Sequence, residues 1–278
     1  MKNRAIAAHK IAVGVLWASA VLTLGILIFI LAYILYHGLP ALSWSFVSQS
    51  PTEMGRGGGI LPTIVGTFAL TILALAIATP LGVGTAIYLT EYTRPGILTR
   101  VVRFGAESLA GVPSIIFGLF GFMFFVIYLG LGWSILSGAL TLSAMILPTI
   151  IRTSEEAIRA VPDSYREISF ALGGTRWQTV TRAVLPSALP GILTGVMLGM
   201  GRSIGETAAV IFTAGSTLRL PTTVTDPVRT MAVHFYILAR EGISMPNAYG
   251  TAAILVISIL AVNFVAYWLM QRFIARHT

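Results

Sequence analysis

Residues 11–36 read IAVGVLWASAVLTLGILIFILAYILY, 26 consecutive positions without a charged side chain. At about 1.5 Å of rise per residue a helix of that length covers roughly 39 Å, more than the roughly 30 Å hydrocarbon core of a bilayer. The run is far longer than the apolar region of a secretory signal, and no small-residue cleavage site follows it, so it reads as a retained anchor. The rest of the chain has the same character: 56% of its 278 residues are hydrophobic and 10% charged, where soluble domains carry about 25% charged residues. The mean hydropathy of +0.86 agrees. A soluble domain is excluded, and six spans with their connections leave no room for a catalytic domain.

Apolar windows fall near 11–36, 61–89, 104–130, 136–151, 187–213 and 248–271, the fourth being short. The chain therefore reads as an all-α polytopic membrane protein with six transmembrane helices. It has no cysteine, which removes disulfides, thiol catalysis and thiolate metal sites, and its four histidines lack ligand spacing. The net charge of +8 is dispersed between apolar runs, without the stripe that tracks nucleic acid. Thirteen Lys and Arg fall in the gaps on the N-terminal side of the membrane, against Arg56, Arg219, Arg229 and Arg240 on the other; Arg202 lies within a span. Cytoplasmic loops retain cations, so both termini of this multi-pass membrane protein are expected in the cytoplasm.

Two gaps are long enough to hold structure. In the outward gap, 214–247, Val228, Met231, Ala232, Phe235 and Leu238 recur at helical spacing and predict a short interfacial helix, either a gate or external docking surface or a cover over the bundle. In the cytoplasmic gap, 152–186, Ser164-Tyr165-Arg166-Glu167 and Thr175-Arg176-Trp177-Gln178 have the form of capping boxes, with Gly173-Gly174 between them. They predict a helix, a glycine corner and a second helix running toward Pro186. Tyr165, Ile168, Phe170, Leu172 and Trp177 then surround the corner, either to meet a cytoplasmic partner or to pack under the chain's own helices. Glu167 has a structural task of its own if it closes the first box.

At this loop the sequence resembles the inner-membrane permease subunits of binding-protein-dependent ABC importers. Glu167, Gly173 and Leu185-Pro186 fall at that family's signature offsets, while Ile168 and Ser169 replace its two alanines and Ala183 its aliphatic residue. Residues 109–121, LAGVPSIIFGLFG, and 199–208, GMGRSIGETA, resemble the phosphate-specific branch, most closely its PstA-type subunit. The resemblance implies a type I importer permease fold, with an N-terminal anchor helix and periplasmic loop at 1–60 and the permease domain at 61–278, including a cytoplasmic coupling loop at 152–186. It implies inorganic phosphate as substrate and four kinds of partner: a PstC-like second permease, two ATPase subunits, a periplasmic phosphate-binding protein and the lipid bilayer. It also places Glu167, Ala171, Leu172, Gly173 and Pro186 in the element that couples to the ATPase. The chain has no phosphate-cradling Gly-x-x-x-x-Gly-Lys motif and no lysine after Lys10, so it is not expected to be an enzyme, and no cofactor or metal site is expected.

In the fifth span Gly191, Gly195 and Gly199 repeat at four-residue spacing, which lets helices approach closely. Continuing by three and four reaches Arg202 and Glu206 on the same predicted face. A charge in a span costs about 2.5–3.5 kcal/mol on insertion scales and needs a partner. Either the two pair with each other at i, i+4, or Arg202 meets a passing anion while Glu206 tunes it. With their neighbours Ser203 and Thr207 they form the candidate substrate pathway. Glu107 is expected to pair with Arg103 at i, i+4 on the surface. Pro80, Pro113 and Pro148 mark places for kinks. The alternatives to a phosphate permease are a permease for another oxyanion such as sulfate or molybdate, and a self-sufficient channel or secondary transporter, although no internal repeat is evident.

Overall fold

The long apolar run lies inside α1 (Lys2–Gly38), which is exposed over residues 9–30 and half-buried at Leu31, Ile34 and Leu35. The computed structural model describes residues 2–94 and 96–274. After α1 come a tight turn at Leu39–Ala41, the short α2 (Trp44–Ser48) and a small antiparallel hairpin. The hairpin pairs β1 (Pro51–Thr52) with β2 (Gly57–Gly58), Pro51 standing opposite Gly58. α3 (Leu61–Ile87) then crosses back and continues as a π-helical turn, Tyr88–Tyr92.

The predicted third span is not one helix. α4 (Ile97–Ala110) and α5 (Ser114–Gly121), which extends as a π-helix to Tyr128, meet at a bend of 103°. Pro113, extended at ψ 142°, separates them, because the residues flanking a proline ring are pushed out of the helical region. α4 is an amphipathic elbow: Ile97, Val101 and Phe104 are exposed one above another while Arg103 turns inward. By contrast Pro80 and Pro148 sit within continuous helices, so of the three prolines only Pro113 marks a sharp bend.

The predicted fourth span, short by hydropathy, is α6 (Ile135–Arg159), 25 residues long and the candidate span most enclosed by protein. Its hydropathy dips because Ser137, Thr141, Ser143 and Ser154 face the interior and not lipid. The Thr141 hydroxyl donates to the Ser137 carbonyl at 2.8 Å, and that of Ser143 to Ala139 at 2.6 Å and to Ala74 of α3 at 3.0 Å. Buried hydroxyls satisfied in this way hold helices together at little cost.

The segment after α6 is more compact than the 152–186 gap. α7 (Asp163–Ala171) stands alone, and an unbroken helix then runs from Arg176 to Ile204 as α8 (Arg176–Thr179), a π turn (Val180–Val184) and α9 (Leu185–Ile204). The helix therefore passes through Pro186, whose missing N–H is accommodated just after the widened π turn. It ends inside the predicted fifth span, and Gly205–Thr207 separate it from α10 (Ala208–Thr213). α11 (Met231–Arg240) and α12 (Met245–Ile274) complete the fold.

The core lies where α3, α6 and α10 meet: Leu70, Ala74 and Ala78 pack with Leu142, Met145, Ile146 and Ile150 and with Ala209 and Val210. A second cluster, Ala86, Ile158, Val161, Val184, Ala188 and Ile192, lies where the ends of α3 and α6 meet the π turn and the start of α9. Small residues set the spacing of α9 against α6. A Cβ on Gly191 would stand 2.5 Å from Cβ of Ala157, and one on Gly195 would collide with Thr153. Gly199 is different, since a Cβ there would meet Ile146 and Ile150 at an ordinary 3.6 Å.

Candidate functional site

α9 and α10 position the candidate pathway residues around the break. Arg202 lies in the last turn of α9 and is half-buried; Glu206 lies beyond the helix end, in the break itself. The predicted shared face for these two charges is therefore not formed, because the helical register stops at Ile204. No ion pair among the described residues includes either one. Glu206 instead accepts the Ala209 backbone N–H on Oε1 at 3.3 Å, tying the start of α10. Self-neutralisation of the pair is thus absent. Ser203 is buried, and its hydroxyl has no partner among the described residues. Thr207 is the N-cap of α10, with φ −116° and ψ −53°, and its carbonyl accepts from Ile211 N at 3.0 Å.

α7 and α8 form the predicted corner. Gly173 adopts φ +80°, the left-handed conformation that a side chain disfavours, with open space around it. Thr175 and Gln178 close their capping box, the Gln178 N–H reaching the Thr175 hydroxyl at 3.3 Å and the Thr175 N–H reaching Gln178 Oε1 at 2.9 Å. The other predicted box is not made: the N-cap of α7 is Pro162, two residues before Ser164, and no side chain caps it. The surface of the corner is apolar. Leu172 is 83% exposed and Trp177 66%, and Tyr165, Ile168 and Phe170 are exposed too, so these side chains do not pack under the chain's own helices. Glu167, Ala171 and Pro186 are likewise exposed.

What holds α7 is a polar joint that sequence reasoning missed. Glu91, in the π turn ending α3, accepts from Arg166 at 2.7 Å, and the Arg166 guanidinium also donates to the carbonyls of Ile158 and Val161. The hydrogen bond that Arg166 donates to Glu91, ahead of the Glu91 charge, raises the affinity of Arg166 for its proton. The two residues are 75 positions apart, so no local spacing announces them. A second joint ties α4 to α6: Arg103 and Arg159 both reach Glu155 at 2.6 Å. Arg103 is thus paired with Glu155, not with Glu107 as its i, i+4 position suggests, since α4 turns that face onto α6.

At the opposite end α11 packs down, its buried stripe comprising Met231, Ala232 and Leu238, with Val228 preceding it and Phe235 left partly exposed. This is the covering arrangement, fixed by the Met231 N–H donating to Thr67 of α3 at 2.9 Å. His234, not singled out by the periodicity, is 1% exposed and lies 3.4 Å from Arg229. Burial, and then the Arg229 charge, push its pKa down to about 4. Burial also lowers that of Arg229, whose Nε donates to the Ser216 carbonyl at 2.9 Å.

Residues 78–277 match the family described as binding-protein-dependent transport system inner membrane component. A probable ABC transporter permease protein of Bacillus subtilis, YqgI, is 37% identical over 94% of each chain. The phosphate transport system permease protein PstA of Haemophilus influenzae is 33% identical over 92% of this chain and 91% of its own. Among solved structures, an inward-facing MetNI methionine ABC transporter aligns with a TM-score of 0.66 at 20% identity, covering 77% of this chain and 95% of that one. That likeness is one of fold.

Proposed function

Since the chain belongs to the binding-protein-dependent transport system inner membrane component family, it is a membrane permease of ABC importers and not their ATPase, and we propose that its substrate is inorganic phosphate. The observation that carries this reading is end-to-end similarity to proteins named phosphate transport system permease, at 32–33% identity over more than nine-tenths of this chain. The break between α9 and α10 supports it chemically. Arg202 is half-buried without a carboxylate partner, so a dehydrated anion could meet its charge there. Glu206 nearby opposes tight holding of that anion, and Ser203 offers an unpartnered hydroxyl. The proposed assembly pairs the chain with a PstC-like permease, two ATPase subunits docked on the α7–α8 corner, and a periplasmic phosphate-binding protein. Both termini then face the cytoplasm, a placement that the cation distribution supports.

The test is uptake into proteoliposomes by the co-purified complex, with ATP inside and radiolabelled phosphate outside. Phosphate uptake that sulfate and molybdate do not compete is expected. Uptake of either rival anion with phosphate inert would overturn the substrate assignment. Arg202→Gln should abolish uptake or reduce it severely while the complex still assembles, and Arg202→Lys should rescue it in part, lacking the planar fork that grips two oxygens. Because glutamine can still accept the Ala209 N–H, Glu206→Gln isolates the charge. The double Gln variant should be assembled and inactive; wild-type uptake from it would remove the anion-path role.

A further inference from the structure

α7 has no buried residue, so apolar packing does not fasten it to the bundle. Its polar fastening is concentrated on one pair. The Arg166 Nε donates to both carboxylate oxygens of Glu91, at 3.1 and 3.3 Å, and a terminal nitrogen adds a third bond at 2.7 Å. The other nitrogen reaches Asp163 at 3.1 Å and the Val161 carbonyl at 2.9 Å, while the Ile158 carbonyl accepts at 3.0 Å. The side chains of Arg166 and Glu91 are only 17% and 10% exposed. The Glu91 carbonyl, in turn, accepts from Arg176 of α8 at 3.2 Å. Four elements therefore converge on two residues: the end of α3, the end of α6, α7 and the start of α8.

A further side-chain tie, Ser169 to Thr179 at 2.8 Å, joins α7 to α8 but to neither earlier spanning helix. A push on the exposed corner thus reaches α3 through Glu91, and α3 is packed against the core of α6. Planar, multiply bonded guanidinium–carboxylate pairs resist rotation as well as separation, unlike a single point contact.

We propose that Glu91 and Arg166 are a mechanical joint, positioning residues that make the corner and the inner end of α3 move as one body when the ATPase cycles. The joint rests on the reading that the corner docks on the ATPase. Glu91→Gln keeps the size and an acceptor oxygen but removes the charge; weakening a charge-assisted bond of this kind shifts a two-state balance by about ten-fold. In proteoliposomes the variant complex should hydrolyse ATP at near the unsubstituted rate while substrate moved per ATP falls by about that factor. A merely structural pair would lower both activities together and leave their ratio unchanged, and that result would overturn the joint.

A second measurement needs no Glu91 variant. The chain has no cysteine of its own, so Ser164→Cys and Tyr88→Cys, both at exposed positions, accept paired spin labels. In the full complex their separation should be the same without nucleotide and with vanadate-trapped nucleotide. A nucleotide-dependent change in that distance would overturn the proposal. If the unsubstituted complex shows no ATPase association, the docking reading fails and the joint with it; if it couples normally and Glu91→Gln couples equally well, only the joint fails.

Discussion

The corner at 160–179 and the segment at 214–244 look alike in sequence: each is a polar connection with large apolar residues at helical spacing. In the folded chain they are opposites. Met231 and Leu238 of α11 are fully buried against the bundle, whereas Leu172 and Trp177 at the corner are largely exposed and α7 buries nothing. One segment is held by packing and the other by an ion pair. Apolar periodicity therefore reports that a surface needs covering and is silent on whether the cover is intramolecular.

The largest effect separating the two regions should come from truncating the same residue type in each. Leu238→Ala removes side-chain atoms from a closed site and should cost about 2–5 kcal/mol, whereas Leu172→Ala should stay within about 0.5 kcal/mol. Thermal unfolding of the purified complex, followed with ATPase co-purification, checks both. Leu172→Ala should weaken ATPase retention at unchanged melting temperature. Equal destabilisation by the two would erase the contrast.

Acid should discriminate next. His234 is held neutral, with a folded-state pKa of about 4 against an ordinary 6.5. Its lowered value means that the unfolded chain binds a proton first as pH falls. The contribution is fully present above about pH 6.5, shrinks between 6.5 and 4, and stops changing below 4. Over that window the loss is about 3 kcal/mol. His234→Gln should flatten the corresponding fall in melting temperature. A slope unchanged by that substitution would mean that other groups set the acid sensitivity.

The smallest contrast lies within the corner. Thr175→Ala removes a formed cap and should cost about 1 kcal/mol, while Ser164→Ala, at a box that is not formed, should be close to neutral. Amide exchange in α7 and α8 distinguishes them: faster exchange at Gln178 is expected only in the first variant.

Local rules explain where sequence reading succeeded. The Gly173 stop, the Thr175 cap and the close approach at Gly191 and Gly195 each depend on residues within a turn or on one helix face. Hydropathy found the spans because lipid-facing side chains report their surroundings individually. It undervalued α6 for the same reason, since a helix enclosed by protein can carry buried Ser and Thr. The site was less legible. The glycine spacing placed Glu206 on the Arg202 face by extending a helix that in fact ends at Ile204.

The sequence by itself determined a polytopic helical membrane protein, its family resemblance, and the glycine corner, because composition, motif spacing and turn chemistry act over short stretches of chain. The tertiary structure alone decided which apolar connection is covered, that Arg202 and Glu206 do not pair, and that Glu91 meets Arg166 across 75 residues. Such contacts are set by where whole helices end and how they pack, and neither quantity is encoded in the spacing of residues along one segment.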